Sequence, residues 1–90
     1  MPLKLLRHKL FKKDILRVKL ADTQYSKFII YVALLLEGKV LPEESRDHSL
    51  KGEWQGYREF HLGGDILLIY LMNDESVVLV RIGTHSQLFK

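Results

Sequence analysis

The stretch RDHSLKGEWQGYREFHLGGD, residues 46–65, concentrates side chains that can transfer protons or bind anions. It contains two histidines and two aspartates, and a further histidine follows in GTHSQLF near the end of the chain. Histidine suits proton transfer near neutral pH because its ordinary pKa lies close to neutrality. The pattern therefore indicates acid–base chemistry, provided that the fold brings these side chains together.

Hydrophobic periodicity predicts two helices before this stretch. Phe11, Ile15 and Val18 recur at helical spacing within residues 9–20. A second helix is predicted from a cap at Asp22 or Thr23 as far as Gly38. A short strand in PLKLLR precedes them.

Three strands are predicted after a polar connection over residues 39–53. They cover residues 57–62, 65–72 and 77–82 and form an antiparallel meander. The whole chain, residues 1–90, is thus expected to be a single α+β domain with a small antiparallel sheet.

The expected turns fix which strand residues face each other. A turn at Gly63 and Gly64 would place His61 opposite Ile66, and a turn in NDES would place Ile66 opposite Gly83. The face that packs on the helices would then carry Phe60, Leu67, Ile69, Val80 and Ile82, and the other face Tyr57, His61, Tyr70 and Arg81. Because neighbouring strands lie about 4.8 Å apart, the residues expected to face one small volume are His61, Asp65, Arg81 and His85.

Composition and charge narrow the class of protein. The chain has no cysteine, which excludes disulfides and thiolate metal sites and suits a reducing cytoplasm. No secretory signal is evident, and the longest apolar run is too short to span a bilayer. We expect a soluble cytoplasmic protein. Residues 1–20 carry seven basic groups against one acid, Asp14, which favours either phosphate binding or a solvated helix face.

Metal-free cleavage of RNA fits these residues best. The spacing of His48, His61 and His85 matches no HxH, HxxxH or HExxH element, and Ser49 lacks a GxSxG context. RNA supplies its own nucleophile, the 2′-hydroxyl, so the protein must move two protons and stabilise phosphate charge. Histidines provide acid–base help worth about 10²–10⁴-fold, and an arginine fork matches two phosphate oxygens. No metal and no cofactor are expected.

Three motifs identify a family. The chain contains DH-x-L-x-G-x-W-x-GYR, H-x3-D-x-LLIY and R-x-GTH-x3-F with uninterrupted spacing. Over residues 47–89 it closely resembles the YafQ branch of the RelE-like toxins of bacterial type II toxin–antitoxin systems. In the first half only the order of strand and helices matches.

The resemblance implies a RelE-like fold and a ribosome-dependent endoribonuclease that cuts mRNA and is inhibited by a cognate antitoxin. The active-site positions of the family fall on His48, His61, Asp65, Arg81, His85 and Phe89. The chain departs from some relatives at Ile66, where they have tryptophan, which leaves base stacking at this position and codon preference open.

Roles follow from the resemblance as hypotheses. His85 is expected to be the general acid, and either His48 or His61 the general base. Asp65 would orient a histidine or raise its basicity, and Arg81 would hold the scissile phosphate. Phe89 would stack on a base or, alternatively, pack the tail on the sheet. The basic side chains expected to dock on ribosomal RNA are Lys9, Lys12, Lys13, Arg17 and Lys19.

Two other functions remain open at this point. ParE-like toxins of the same fold poison DNA gyrase, but those relatives lack the His/Asp/His constellation. A catalytically idle protein that binds RNA or an antitoxin is the second alternative.

Overall fold

The computed structural model describes residues 3–89, which form a five-stranded sheet with two main helices. Elements in chain order are β1 (Lys4–Arg7), α1 (Lys9–Arg17), α2 (Asp22–Leu36), β2 (His48–Ser49), β3 (Arg58–Gly63), β4 (Ile66–Met72), β5 (Ser76–Thr84) and α3 (His85–Leu88). The spatial order of the strands is β1-β5-β4-β3-β2. Within residues 3–89, no helix has the length and apolar character needed to cross a membrane.

The α+β prediction is confirmed, with one correction to the sheet. The meander β3-β4-β5 is antiparallel as expected, but β1 pairs in parallel with β5, so the sheet is mixed. The two-residue strand β2 adds an antiparallel edge that the sequence did not predict. Pairing between β1 and β5 joins segments about seventy residues apart, and local sequence patterns do not encode it.

Both predicted helices are present with small changes at their ends. Helix α1 stops at Arg17, three residues before the expected end. Helix α2 has Ala21 rather than Asp22 or Thr23 at its N-cap, where the backbone N–H of Ala21 donates to the side chain of Gln24. The stop at Gly38 is confirmed: its φ is 72°, and its N–H donates to the carbonyl of Leu35.

Two apolar clusters cover the two faces of the sheet. The larger cluster lies against α1 and α2 and includes Phe11, Tyr31, Val32, Leu35, Phe60, Leu62, Leu68, Tyr70, Leu79 and Ile82. The smaller cluster lies on the opposite face, under α3 and the segment before β3, and includes Leu67, Ile69, Val80 and Leu88 with Trp54, Tyr57 and Phe89 around it. The predicted division of residues between faces was therefore wrong for Leu67, Ile69, Val80 and Tyr70.

Irregularities in both hairpins explain this error. His61 faces Leu67 instead of Ile66, because the register shifts between His61 and Gly63. A second shift in the β4–β5 pairing puts Leu67 opposite Gly83. The two one-residue differences cancel, so His61 and Gly83 still lie in one row across the sheet. A bulge inserts an extra residue and reverses the faces beyond it, which alternation alone does not reveal.

Candidate active site

A buried carboxylate joins two of the predicted histidines. Glu59 lies opposite His48 in the β2–β3 pairing, and His61 follows two residues later on the same strand. Oε1 of Glu59 is 2.9 Å from Nε2 of His48 and 3.5 Å from Nε2 of His61. The two imidazole rings are 6.3 Å apart between centroids. The fold thus brings His48 and His61 together around a residue that the sequence reading did not select.

Each ring nitrogen of His48 has an oxygen atom within hydrogen-bond distance. Nδ1 of His48 is 2.6 Å from the carbonyl oxygen of Arg46, which can only accept, so Nδ1 carries a hydrogen. Nε2 faces the Glu59 carboxylate at 2.9 Å, which is within hydrogen-bond distance. Both ring nitrogens of His48 therefore face hydrogen-bond partners, which fixes the orientation of the imidazole.

Glu59 has little access to solvent. Its side chain is 5% exposed, against 51% for His48 and 24% for His61. Its second oxygen, Oε2, is buried and lacks a hydrogen-bond partner among residues 3–89. Burying a carboxylate costs free energy unless it is paired, so this position favours contact with a cationic or proton-donating partner.

A hydrogen-bond network fixes the segment that carries His48. The hydroxyl of buried Tyr70 donates to Oδ1 of Asp47 at 2.5 Å, and Nε of Arg58 donates to the same oxygen at 3.3 Å. Burial and the hydrogen bond to Asp47 raise the pKa of Tyr70 well above its ordinary value. Ser45 is also fully buried and bonds to the carbonyl of Pro42. These contacts attach the connection before β3 to the core of the sheet.

Asp65 and His85 lie at one end of the sheet, both exposed. Asp65 follows Gly64 in the turn between β3 and β4. His85 is the first residue of α3, directly after Thr84, which faces Ile66. Helix α3 packs Leu88 into the smaller cluster with Leu67, which faces His61. His85 directly follows the end of β5. It therefore lies at the same end of the sheet as His61.

Phe89 is held between two aromatic neighbours. Its ring lies 5.0 Å from that of His85 and 6.2 Å, edge to face, from that of Trp54. Trp54 in turn packs edge to face on Tyr57. Phe89 thus packs the tail onto the smaller cluster and supports the ring of His85, while its base-stacking role stays a prediction.

Arg81 has a partner that the sequence reading did not assign. It lies opposite Ile69, which lies opposite Glu59, so the sheet register places Arg81 in the row of Glu59 and His48. Its guanidinium, however, bonds to Asp14 of α1 through two contacts of 2.8 and 2.9 Å. These hydrogen bonds raise the pKa of Arg81 further above its ordinary value.

The basic side chains predicted to dock on RNA are all exposed. Four of them, Lys9, Lys12, Lys13 and Arg17, project from α1, and Lys19 follows its end. His8 caps this helix by accepting from the N–H of Leu10.

Glu59 and Asp14 were missed because their importance is tertiary. Glu59 stands two residues before His61, and this i, i+2 spacing on a strand was a usable signal for a shared face. Asp14 was visible as the lone acid of a basic segment. Within the described range, no group of three or more histidine, aspartate and glutamate side chains has the arrangement of a metal site.

Comparison with known proteins assigns the family. The family model described as "Bacterial toxin of type II toxin-antitoxin system, YafQ" matches residues 3–90. The chain is 44% identical over 66 residues to the YafQ protein of Haemophilus influenzae, covering 69% of this chain and 65% of that protein, slightly less than two thirds of its length. It is 34% identical over 80 residues to the mRNA interferase toxin YafQ of Escherichia coli K12, covering 88% and 87%.

Solved structures agree over nearly the full length. The toxin in the E. coli DinJ–YafQ complex superposes with a TM-score of 0.84 at 30% identity, covering 98% of this chain and 99% of that one. A copper-bound mutant toxin from Helicobacter pylori gives 0.80 at 37% identity, covering 97% and 99%. The fold is therefore that of the small RelE-like toxins of type II toxin–antitoxin systems. Within this class, the chain belongs to the YafQ family.

Proposed function

We propose that this protein is a metal-independent endoribonuclease that cleaves mRNA as the toxin of a type II toxin–antitoxin system. One observation carries the proposal: a buried carboxylate, Glu59, contacts two histidines on the face of the sheet that α3 covers. His85 begins that helix. Two histidines on one carboxylate, with a third histidine at the same end of the sheet as His61, suit a reaction in which one proton is removed and another is delivered.

The proposed reaction needs no external nucleophile. The 2′-hydroxyl of the RNA loses its proton to the His48–Glu59–His61 group, and its oxygen forms a bond to the adjacent phosphorus. The bond between phosphorus and the 5′ oxygen breaks, and His85 delivers a proton to that oxygen. The products are a 2′,3′-cyclic phosphate and a 5′-hydroxyl end.

The remaining predicted residues act on the phosphate and the base. Arg81 binds the phosphate oxygens and offsets their negative charge. Asp65, in the exposed turn, orients a histidine. Phe89, beside the ring of His85, contacts a base next to the cleaved bond. His48 and His61 both contact the same carboxylate oxygen of Glu59. Either histidine can therefore serve as the general base with Glu59 as its partner.

The partners follow from the family. The E. coli relative forms the DinJ–YafQ complex, which supports a cognate antitoxin as the inhibitor of this chain. The exposed cations of α1 support docking on ribosomal RNA, because each phosphate contact adds salt-sensitive affinity. Cleavage on translating ribosomes would place the protein in the cytoplasm. The family assignment favours this function over gyrase poisoning.

The test is RNA cleavage by purified protein, with and without translating ribosomes. We expect 2′,3′-cyclic phosphate or 3′-phosphate ends, unchanged cutting in chelator, and loss of cutting in His85→Ala and His61→Ala. The comparison with and without chelator tests whether cleavage needs a metal ion, because a similar toxin structure holds copper. Loss of cutting in chelator would overturn the metal-free mechanism.

His8→Asn is the matched control. It removes an imidazole as the other variants do, but asparagine preserves the helix cap that His8 forms on α1. This variant should cleave like the unmodified protein. If the unmodified protein cuts no RNA even during translation, the endoribonuclease proposal fails. Normal cutting by His85→Ala would instead reject His85 as the general acid.

A further inference from the structure

The guanidinium of Arg81 is held along one edge by Asp14. Nε lies 2.8 Å from Oδ2 and Nη2 lies 2.9 Å from Oδ1, so two parallel hydrogen bonds join the groups. The side chains are 25% and 13% exposed, respectively. A bidentate pair with limited solvent contact is geometrically specific, unlike a solvated surface ion pair.

The carboxylate is itself anchored to the sheet. Oδ2 of Asp14 also accepts from the backbone N–H of Ile82 at 3.2 Å. Strand β1 pairs with β5 only as far as Leu79, so the edge of β5 beyond that residue lies open to α1. Asp14 satisfies a backbone donor at this edge and is thereby fixed relative to β5.

Side-on pairing leaves the other edge of the guanidinium available. The contacts to Asp14 use the Nε hydrogen and one hydrogen of Nη2. Both hydrogens of Nη1 and the second hydrogen of Nη2 remain, and the residues between 3 and 89 supply no further hydrogen-bond partner for them. This end-on edge is a fork that matches two phosphate oxygens.

The surroundings of this pair suit an anion. A cavity of about 250 Å³ lies between α1, β5 and α3, and its lining includes Asp14, Arg17, Arg81 and Gln87. Asp14 offsets one positive charge, and Arg17 supplies a second. The cavity thus combines a fixed guanidinium, a nearby cation and an amide.

We propose that Asp14 is a positioning residue for RNA cleavage: it holds Arg81 with its free edge directed to a phosphate of the bound RNA. The inference rests on the proposed endoribonuclease function and adds a residue that acts through another. Without Asp14, the long arginine side chain samples several rotamers and presents its fork to the phosphate for only part of the time.

A double-mutant cycle separates this role from a purely structural one. We expect Asp14→Asn to lower kcat/KM by about tenfold or more, and Asp14→Glu to recover part of it. In an Arg81→Ala background, Asp14→Asn should change kcat/KM by less than about twofold, because the group that it positions is already absent. Asp74→Asn, an equal charge change in the turn before β5, should have no effect.

Two results would overturn the inference. One is normal or increased cleavage by Asp14→Asn, which would mean that Asp14 is dispensable or that it withholds Arg81 from the substrate. The other is an equal loss of kcat/KM in both backgrounds together with a lowered melting temperature. This result would mean that Asp14 only stabilises the edge of β5.

A binding assay keeps the test independent of catalysis. RNA with 2′-O-methyl groups retains its phosphates but lacks the nucleophile, and its affinity is measured for the same variants. Weaker binding in Asp14→Asn, with no further weakening in the Arg81→Ala background, supports positioning even if the unmodified protein fails to cleave. Failure to cleave with this binding pattern intact would reject the endoribonuclease proposal alone.

Discussion

The hydroxyl of Tyr70 donates a 2.5 Å hydrogen bond to Asp47, linking the middle of β4 to the residue before His48. Tyr70 is fully buried in the larger cluster, whereas Asp47 belongs to the irregular segment between α2 and β3. This contact therefore helps to connect the core of the domain to the position of a proposed catalytic histidine.

Tyr70→Phe should weaken both stability and cleavage. The change preserves the ring but leaves the carboxylate of Asp47 with only the longer bond from Arg58, so we expect a loss of about 1–3 kcal/mol in the free energy of unfolding. Urea titration at neutral pH measures it. Cleavage should also fall, because His48 loses part of its support. Unchanged stability would show that the Tyr70–Asp47 bond contributes little.

The same tyrosine predicts a loss of stability at alkaline pH. Burial and the bond to Asp47 raise its pKa above the ordinary value of 10.0, so the folded state keeps this proton longer than the unfolded chain does. Between those two pKa values the folded state binds more protons, and the free energy of unfolding falls as pH rises above about 10. Tyr70→Phe should show a smaller decline over this range in urea titrations at successive pH values. An identical slope in both proteins would contradict the assignment.

Glu59→Gln should separate activity from stability. The amide preserves the shape but removes the charge and the proton-accepting carboxylate, so we expect cleavage to fall by about 10²-fold or more. The free energy of unfolding should stay within about 1 kcal/mol or rise, because the buried charge is costly. Single-turnover cleavage and urea titration measure the two effects. Exposed Glu53→Gln is the control, and equal cleavage by both variants would exclude Glu59 from the reaction.

Phe60→Ala tests the larger cluster. Phe60 has no solvent exposure and packs on Tyr31 edge to face and on Tyr70. Truncation should cost about 3–5 kcal/mol through lost burial and a residual cavity. Leu16→Ala, at a side chain that is 85% exposed, should change stability by less than about 0.5 kcal/mol. Similar denaturation midpoints for the two variants would refute this account of the core.

Phe89→Leu separates packing from base stacking. Leucine fills much of the space beside Trp54, so stability should fall by less than about 1.5 kcal/mol. If Phe89 stacks on a base, binding of 2′-O-methyl RNA should weaken by about 1–3 kcal/mol, the usual contribution of one stacked base. Unchanged RNA binding with reduced stability would mean that Phe89 only packs the end of the chain onto the smaller cluster.

The sequence predicted most of the elements but not their register. The stripe of Phe11, Ile15 and Val18 indicated α1, and Gly38 marked the end of α2, because these signals are local. The bulge beside Gly63 and the second shift in the β4–β5 pairing were not readable, since each depends on how neighbouring strands pack. The row containing His61 and Gly83 was predicted correctly only because the two differences cancel.

By itself, the sequence determined the fold class, the family and the types of side chain available for chemistry, because periodicity, turns and motif spacing are properties of neighbouring residues. The tertiary structure alone decided that Glu59 lies between His48 and His61, that Tyr70 anchors Asp47, and that Asp14 holds Arg81 from 67 residues away. Buried charges and polar groups must find partners within the fold, and those partners come from whichever elements pack against them. Distance along the chain does not limit that choice.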